Sequence, residues 1–150
     1  MKLAEALVLR SDHQKRLEQL KARLQRNAKV QEGDNPAEDP EQLIVEYESV
    51  AAELMQLIAR INLTNTTAQI GGRSLTEVLA ERDVLRLRQA MYRDLAQIAT
   101  ITQSVATRSE VRFKPTVSVA AIQKKADELA QTLRNLDARI QEANWLIELS

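Results

Sequence analysis

Apolar residues recur at alternating steps of four and three between residues 122 and 147. Because an α-helix turns once in about 3.6 residues, this spacing places them along one side of a helix. A helix with such a stripe buries it against other helices, so the spacing predicts a helical bundle. The stripe consists of Ile122, Ala126, Leu129, Leu133, Leu136, Ile140, Ala143 and Ile147.

A second helix is predicted from about residue 40. Asp39 can act as its N-cap, and Pro40 suits the first helical position, where its missing N–H costs nothing. This helix has the same alternating spacing, which indicates a second buried stripe. Its members are Leu43, Tyr47, Val50, Leu54, Leu57 and Ile61.

Two further helices complete the set. The first is predicted from about Leu3 to Val30, and the third begins after Ser74, which has the capping-box spacing with Glu77. The apolar row of the third helix drifts around the helix axis rather than keeping to one side. It contains Val84, Leu87, Met91, Leu95, Ile98 and Val105.

Charge placement predicts how the first two helices pair. Residues 1–31 contain eight basic and three acidic side chains, whereas residues 32–53 contain eight acidic and no basic ones. An antiparallel hairpin brings the basic end of the first helix beside the acidic start of the second. Two segments, Thr64–Ile70 and Glu110–Val117, are instead β-prone by composition, and the sequence leaves open whether they pair within or between chains.

The fold class expected from these patterns is all-α. It is an antiparallel four-helix bundle, or a pair of coiled-coil hairpins, with a small two-stranded β element, formed by residues 1–150 as a single domain. Lysine plus arginine and aspartate plus glutamate balance at 21 each, which predicts neither nucleic acid nor a membrane as partner. The charged N-terminal residues do not match a signal peptide, so a cytoplasmic location is expected.

The run RINLTNTTAQIGGRS, residues 60–74, interrupts the helical composition and permits two interpretations. In the first it is a turn that ends the second helix, with Asn62 and Asn65 as capping residues. In the second, Asn62, Asn65, Thr66, Arg82 and Asp83 form a polar cluster that binds a small polar ligand or a partner's loop. Arg82 belongs to this cluster because it replaces an apolar residue in a stripe, where a guanidinium needs acceptors.

Other chemistry has little support in the sequence. His13 is the single histidine and lacks a Glu-x-x-His partner, and the chain contains no cysteine. Glu38 and Glu41 have a metal-ligand spacing but fall in a turn and a helix cap. Gly71-Gly72 lacks the spacing and the lysine of a phosphate-binding loop. We therefore predict no catalytic residues, no metal and no cofactor.

The chain resembles a family of small bacterial helical proteins of unknown function that are often labelled septicolysin. The resemblance extends over essentially the full length. It rests on the opening MKLAEALVLRSDHQKRLEQLKARLQRNAKVQEG, on RINLTNT, on LTEVLAERDVLRLR and on LDARIQEANW. The label implies a cytolysin, a function that the absence of cysteine and the single tryptophan disfavour.

Three functions are therefore expected in order of preference. The first is a non-enzymatic scaffold or interaction protein that forms a homo-oligomer through its long helices. The second is a small-molecule binder or enzyme that uses the polar cluster, and the third is the cytolysin that the resemblance implies.

Overall fold

The computed structural model describes residues 1–101 and 111–150. It contains helices α1 (Leu3–Asn27), α2 (Pro40–Thr67), α3 (Leu75–Ala99) and α4 (Val119–Leu146), with strands β1 (Gln69–Ile70) and β2 (Arg73–Ser74) between α2 and α3. The prediction of a mostly helical chain with a small two-stranded β element is confirmed. Val105 and Glu110 lie outside the described residues.

The chain forms two compact units. One consists of Met1–Ser74 together with Glu142–Ser150, and the other of Leu75–Gln141. The first unit contains α1, α2 and the strands, and the second contains α3 and most of α4. That the two behave as a single domain stays a prediction.

In the first unit, α1 and α2 form the antiparallel hairpin that their charges predict. Arg23 forms an ion pair with Glu38, and Arg16 forms one with Glu46. Leu20, Leu43 and Val50 are buried together between the two helices, with further leucine and tyrosine side chains around them. Apolar burial supplies most of the stability, and the opposite charges select the orientation.

The ends of this hairpin are fixed by hydrogen bonds. Buried Asn27 donates to the carbonyl oxygen of Arg23 at 2.9 Å and accepts from the backbone N–H of Glu38 at 3.0 Å. The hydrogen bond from Arg23 holds the pKa of Glu38 below its ordinary value. Asp39 accepts from the backbone N–H of Glu41 at 3.0 Å, which confirms the predicted N-cap of α2.

The β element differs from the expectation. Gln69 pairs with Ser74 and Ile70 with Arg73, so the two strands pair within one chain. The connecting Gly71 and Gly72 have φ of 58° and 82°, a left-handed conformation that glycine adopts without strain. The expectation that residues 111–117 supply a strand is wrong. No strand occurs there, and Pro115 lacks the N–H that a β-ladder requires.

Helix α4 buries the central part of its predicted stripe. Ala126, Leu129, Leu136 and Ile140 are buried. Leu133 lies on the same side but remains partly exposed, so this turn is less covered than the spacing alone predicts. In the same unit, Arg86 of α3 forms an ion pair with Asp137 of α4, with Nη2 of the arginine 3.7 Å from Oδ1 of the aspartate.

Candidate functional site

The first part of the asparagine- and threonine-rich run, residues 60–67, is helix, and the turn of the run lies at Gly71 and Gly72. Helix α2 continues through Asn62 and Asn65 to Thr67, and among the described residues only glycines have positive φ. The expectation that the two asparagines end the helix is therefore wrong. Thr66 and Thr67 each donate a hydroxyl hydrogen bond to the carbonyl oxygen of Leu63, at 2.8 and 3.0 Å. These bonds satisfy the hydroxyls inside the helix, so a β-prone composition is compatible with helical backbone.

The five residues of the predicted polar cluster fall in different units. Asn62, Asn65 and Thr66 lie in the last turns of α2, in the first unit, and Arg82 and Asp83 lie in α3, in the second. The Arg82 side chain is 22% exposed, and its Nη2 lies 3.4 Å from Oδ1 of Asp83. A joint binding site of all five residues stays a prediction.

The buried polar residue of this run is Thr64, which sequence reasoning did not select. Its side chain is 1% exposed, and its hydroxyl donates to the carbonyl oxygen of Arg60 at 2.9 Å. The Thr64 hydroxyl oxygen also accepts a hydrogen bond from the backbone N–H of Ser150 at 2.9 Å. In addition, Arg60 Nε donates to the Ser150 carbonyl oxygen at 2.8 Å. Arg60 and Thr64 therefore attach residue 150 to α2. The available sequence signal for this pair was that Arg60 and Thr64 are four residues apart and so lie on the same side of a helix.

Replacing this hydroxyl should destabilise the first unit. Thr64→Val keeps the shape of the side chain but leaves the Ser150 N–H without its acceptor, so we expect a loss of about 1 kcal/mol in the free energy of unfolding. The control is Thr66→Val, because the exposed Thr66 hydroxyl contacts only its own helix. Urea denaturation of the two variants at equal protein concentration measures the difference. Equal losses would show that the contact with Ser150 contributes nothing.

A continuous apolar surface lies on α3. We call it the outer face of α3, and it consists of Val84, Leu87, Met91, Leu95 and Ile98. At about 100° per residue, all five fall within about 40° of the direction of Met91. All five are exposed, Leu87 at 72% and Ile98 at 84%. The expectation that this apolar row drifts around the helix axis is wrong, because the five residues keep to one side of α3.

The other side of α3 is buried. Leu75, Val78, Leu85 and Ala96 are each at most 6% exposed, and they lie well over a quarter turn away from the outer face. An amphipathic surface helix ordinarily has one apolar stripe and a polar opposite face. Because α3 has apolar residues on two sides, only one of which is covered, the outer face is the candidate interaction surface of this protein.

The outer face continues beyond the end of α3. Leu95 and Ile98 line a groove of about 390 Å³ together with Phe113, Pro115 and Val117, all in the second unit. Phe113 is exposed to solvent. The groove extends the apolar surface of the helix rather than adding a polar pocket, so its chemistry favours an apolar partner over a charged small molecule.

Two other kinds of site, a metal centre and a membrane-spanning helix, lack the residues they require within residues 1–101 and 111–150. The His13 Nε2 lies 3.6 Å from Oε2 of Glu53, an ion pair only when the imidazole is protonated. In the described part of the chain, His, Asp and Glu side chains form no group of three or more suited to a metal ion. None of the helices within residues 1–101 and 111–150 has the length and apolar character needed to cross a membrane.

These features define a mostly helical protein with a charge-paired hairpin and an exposed apolar helix face. Residues 10–149 match a family of unknown function (DUF6847), and the chain belongs to this family. The chain is also similar to a functionally unknown conserved protein from Corynebacterium diphtheriae of known crystal structure. That similarity has 40% identity and a TM-score of 0.94 and covers 100% of this chain and 99% of the other. No curated protein matches. The resemblance to proteins labelled septicolysin stays a prediction.

Proposed function

We propose that this protein is a non-enzymatic scaffold that self-associates through the outer face of α3. The observation that supports the proposal is the exposure of five large apolar side chains on one side of a helix whose other side is already buried. Contiguous apolar surface on a folded protein is a mark of an interaction site, because water disfavours it. A second copy of the chain supplies a matching surface on every molecule.

The spacing of the outer face fits a helix as its partner. Steps of three and four residues give ridges that interdigitate with the same ridges on another helix. Charged side chains border the face, with Arg88 on one flank and Asp83 and Asp94 on the other. An apolar centre with a charged border is the usual anatomy of a protein–protein interface.

Three further predictions belong to this proposal. The four helices form an antiparallel bundle, the α1–α2 hairpin being the part with described ion pairs. The location is cytoplasmic, in keeping with the balanced charge of the chain. The alternative function, a small polar ligand held by the cluster around Arg82, predicts a ligand that copurifies with the protein.

Native mass spectrometry of the purified chain separates the two functions, because it reports subunit number and retained molecules together. We expect a homo-oligomer whose mass equals a whole number of chains. A monomer that retains a small polar molecule would contradict the scaffold and support the alternative. The Arg82→Leu variant distinguishes them further, since it should leave the oligomer intact but abolish ligand retention.

A further inference from the structure

We infer that the outer side of α2 binds a basic amphipathic helix of another protein. The surface concerned, which we call the outer face of α2, consists of Ile44, Val45, Ala52, Met55, Ala59 and Leu63. The inference goes beyond the proposed function, because it assigns a second surface, on a helix of the first unit, and a partner other than a copy of the chain.

The outer face of α2 is exposed along most of the helix. All six of its residues are exposed, Val45 at 71% and Met55 at 67%. At about 100° per residue, they fall within about 60° of the direction of Ala59. The buried side of α2, which includes Leu43 and Val50, lies about 140° or more away. Helix α2 therefore has apolar residues on two sides, and only one side is buried in the hairpin with α1.

The spacing on this side of α2 fits a helix as partner. Positions 45, 48, 52, 55, 59 and 62 alternate between steps of three and four, the pattern of a coiled-coil seam. Ala52 and Ala59 are small and let a second helix come close. Met55 lies between them and has a flexible side chain that adapts to the surface of a partner. Because these positions follow one side of a single helix, another helix lying alongside covers them best.

Both charged residues on this side of α2 are acidic. Glu41 and Glu48 are exposed and lie within about 20° of the direction of Ala59. Residues 32–53 contain no basic side chain that could neutralise them, and Arg16 and Arg23 of α1 pair with other carboxylates. The remaining charged side chains of α2 contact other parts of the first unit; they are Glu46, Glu53 and Arg60. The outer side of α2 therefore has a net negative charge.

The other end of this side is polar but uncharged. Asn62 and Thr66, two members of the predicted polar cluster, are exposed within about 60° of the direction of Ala59. A partner therefore meets carboxylates beside the first half of α2, apolar side chains at its centre and hydrogen-bonding groups near its end. The complementary surface is an amphipathic helix with an apolar stripe and with lysine or arginine toward one end.

A second copy of α2 is a poorer match than a basic helix. The outer side of α2 has no basic residue, so a second copy offers no cation opposite Glu41 or Glu48. In a parallel pair, each carboxylate would lie beside its own copy, which is unfavourable. An antiparallel pair keeps the carboxylates apart but leaves them without partners. Lysine or arginine on another protein satisfies them, and this charge preference selects the partner.

Binding of synthetic peptides tests the inference. The probe is a 21-residue peptide, about 31 Å long as a helix, with leucine at alternating steps of three and four and lysine at the polar positions. Its counterpart has glutamate in place of every lysine. We expect the full chain to bind the lysine peptide at least about tenfold more tightly, measured by fluorescence anisotropy of the labelled peptides at low salt. Equal affinities, or no binding of the lysine peptide, would overturn the inference.

Substitutions on α2 locate the site. Met55→Lys places a charge at the centre of the outer face of α2 and should weaken binding of the lysine peptide roughly 30-fold or more. Glu48→Lys replaces an attractive charge with a repulsive one and should weaken binding roughly five-fold. The control is Gln97→Lys, which adds the same charge at an exposed position of α3 and should leave binding unchanged. Since all three positions are exposed, the substitutions should not unfold the chain.

The remaining outcomes distinguish this inference from the proposed function. A loss of affinity in Leu87→Lys but not in Met55→Lys would place the peptide on the outer face of α3, and undiminished binding to both variants would place it on neither; each result overturns the inference. Self-association that Met55→Lys abolishes would show that a second copy, and not another protein, covers α2. The Leu87→Glu variant should bind the lysine peptide as the wild type does, so binding through α2 can be confirmed or contradicted whether or not the chain self-associates through α3.

Discussion

The Leu87→Glu variant should sediment as a monomer at concentrations at which we expect the wild type to self-associate. Leu87 is 72% exposed in the single chain and lies on the outer face of α3, one helical turn from Met91. In the pair, the glutamate would be an unpaired charge in an apolar interface, which costs about 3 kcal/mol or more. The affinity should therefore fall by roughly 100-fold or more.

The matched control is Gln97→Glu, which adds the same charge to an exposed position of the same helix but away from the face. It should leave the proposed self-association unchanged. Because both positions are exposed, neither substitution should change the stability of the single chain by more than about 0.5 kcal/mol. Sedimentation equilibrium of the three proteins measures the effect. Equal masses for wild type and Leu87→Glu would place the interface elsewhere.

The second large effect is expected in the stripe of α4. Ile140 is 0% exposed, and Ile140→Ala removes three carbon atoms from a fully buried site. The lost burial and the cavity left behind should lower the free energy of unfolding by about 2–5 kcal/mol. Urea denaturation at fixed protein concentration measures it, since self-association makes stability depend on concentration.

The comparison for this variant is Leu133→Ala, on the same side of α4. Because Leu133 is partly exposed, less apolar surface returns to water and the loss should be about 1 kcal/mol. The sequence spacing predicts that both residues are buried, whereas the structure buries only Ile140 fully. A larger loss of stability for Leu133→Ala than for Ile140→Ala would contradict the burial that the structure gives these two residues.

The sequence predicted the elements whose signals are local. Asp39 and Pro40 define the start of α2 because a cap acceptor and a fixed φ act on the backbone next to them. The α1–α2 hairpin was also predictable, because the basic end of α1 and the acidic start of α2 attract each other only when the two helices are antiparallel. The ion pair between Arg23 and Glu38 is one result of this arrangement. In both cases the physical cause lies within a few residues or in net charge, which a sequence displays directly.

The end of α2 was not predictable in the same way. Asparagine and threonine favour turns and strands by composition, but the α2 helix continues to Thr67. The hydroxyl of Thr64 bonds both to its own helix and to Ser150, 86 residues further along the chain. A contact so distant in sequence overrides local propensity. The four-residue spacing of Arg60 and Thr64 places them on one side of a helix but does not reveal that Ser150 is their partner.

The candidate site that the structure indicates, the outer face of α3, differs from the predicted cluster around Arg82 for a related reason. The sequence analysis selected Arg82 because it interrupts one apolar stripe, and described Val84, Leu87 and Met91 as part of a row that drifts around the helix axis. Only the three-dimensional structure separates the two sides of α3, because burial depends on which elements cover each side. A row of apolar residues does not by itself distinguish a core from an interface.

Oxidation of the methionines tests most directly whether a second copy covers the outer face of α3. The chain has three methionines, and Met1, Met55 and Met91 are all exposed in the single chain. Exposed methionine oxidises readily to the sulfoxide, which peptide mass spectrometry locates. We predict that Met91 is protected in the wild type while Met1 and Met55 react, and that Leu87→Glu removes the protection. Oxidation of Met91 as fast as the other two in concentrated wild-type protein would contradict self-association through this face.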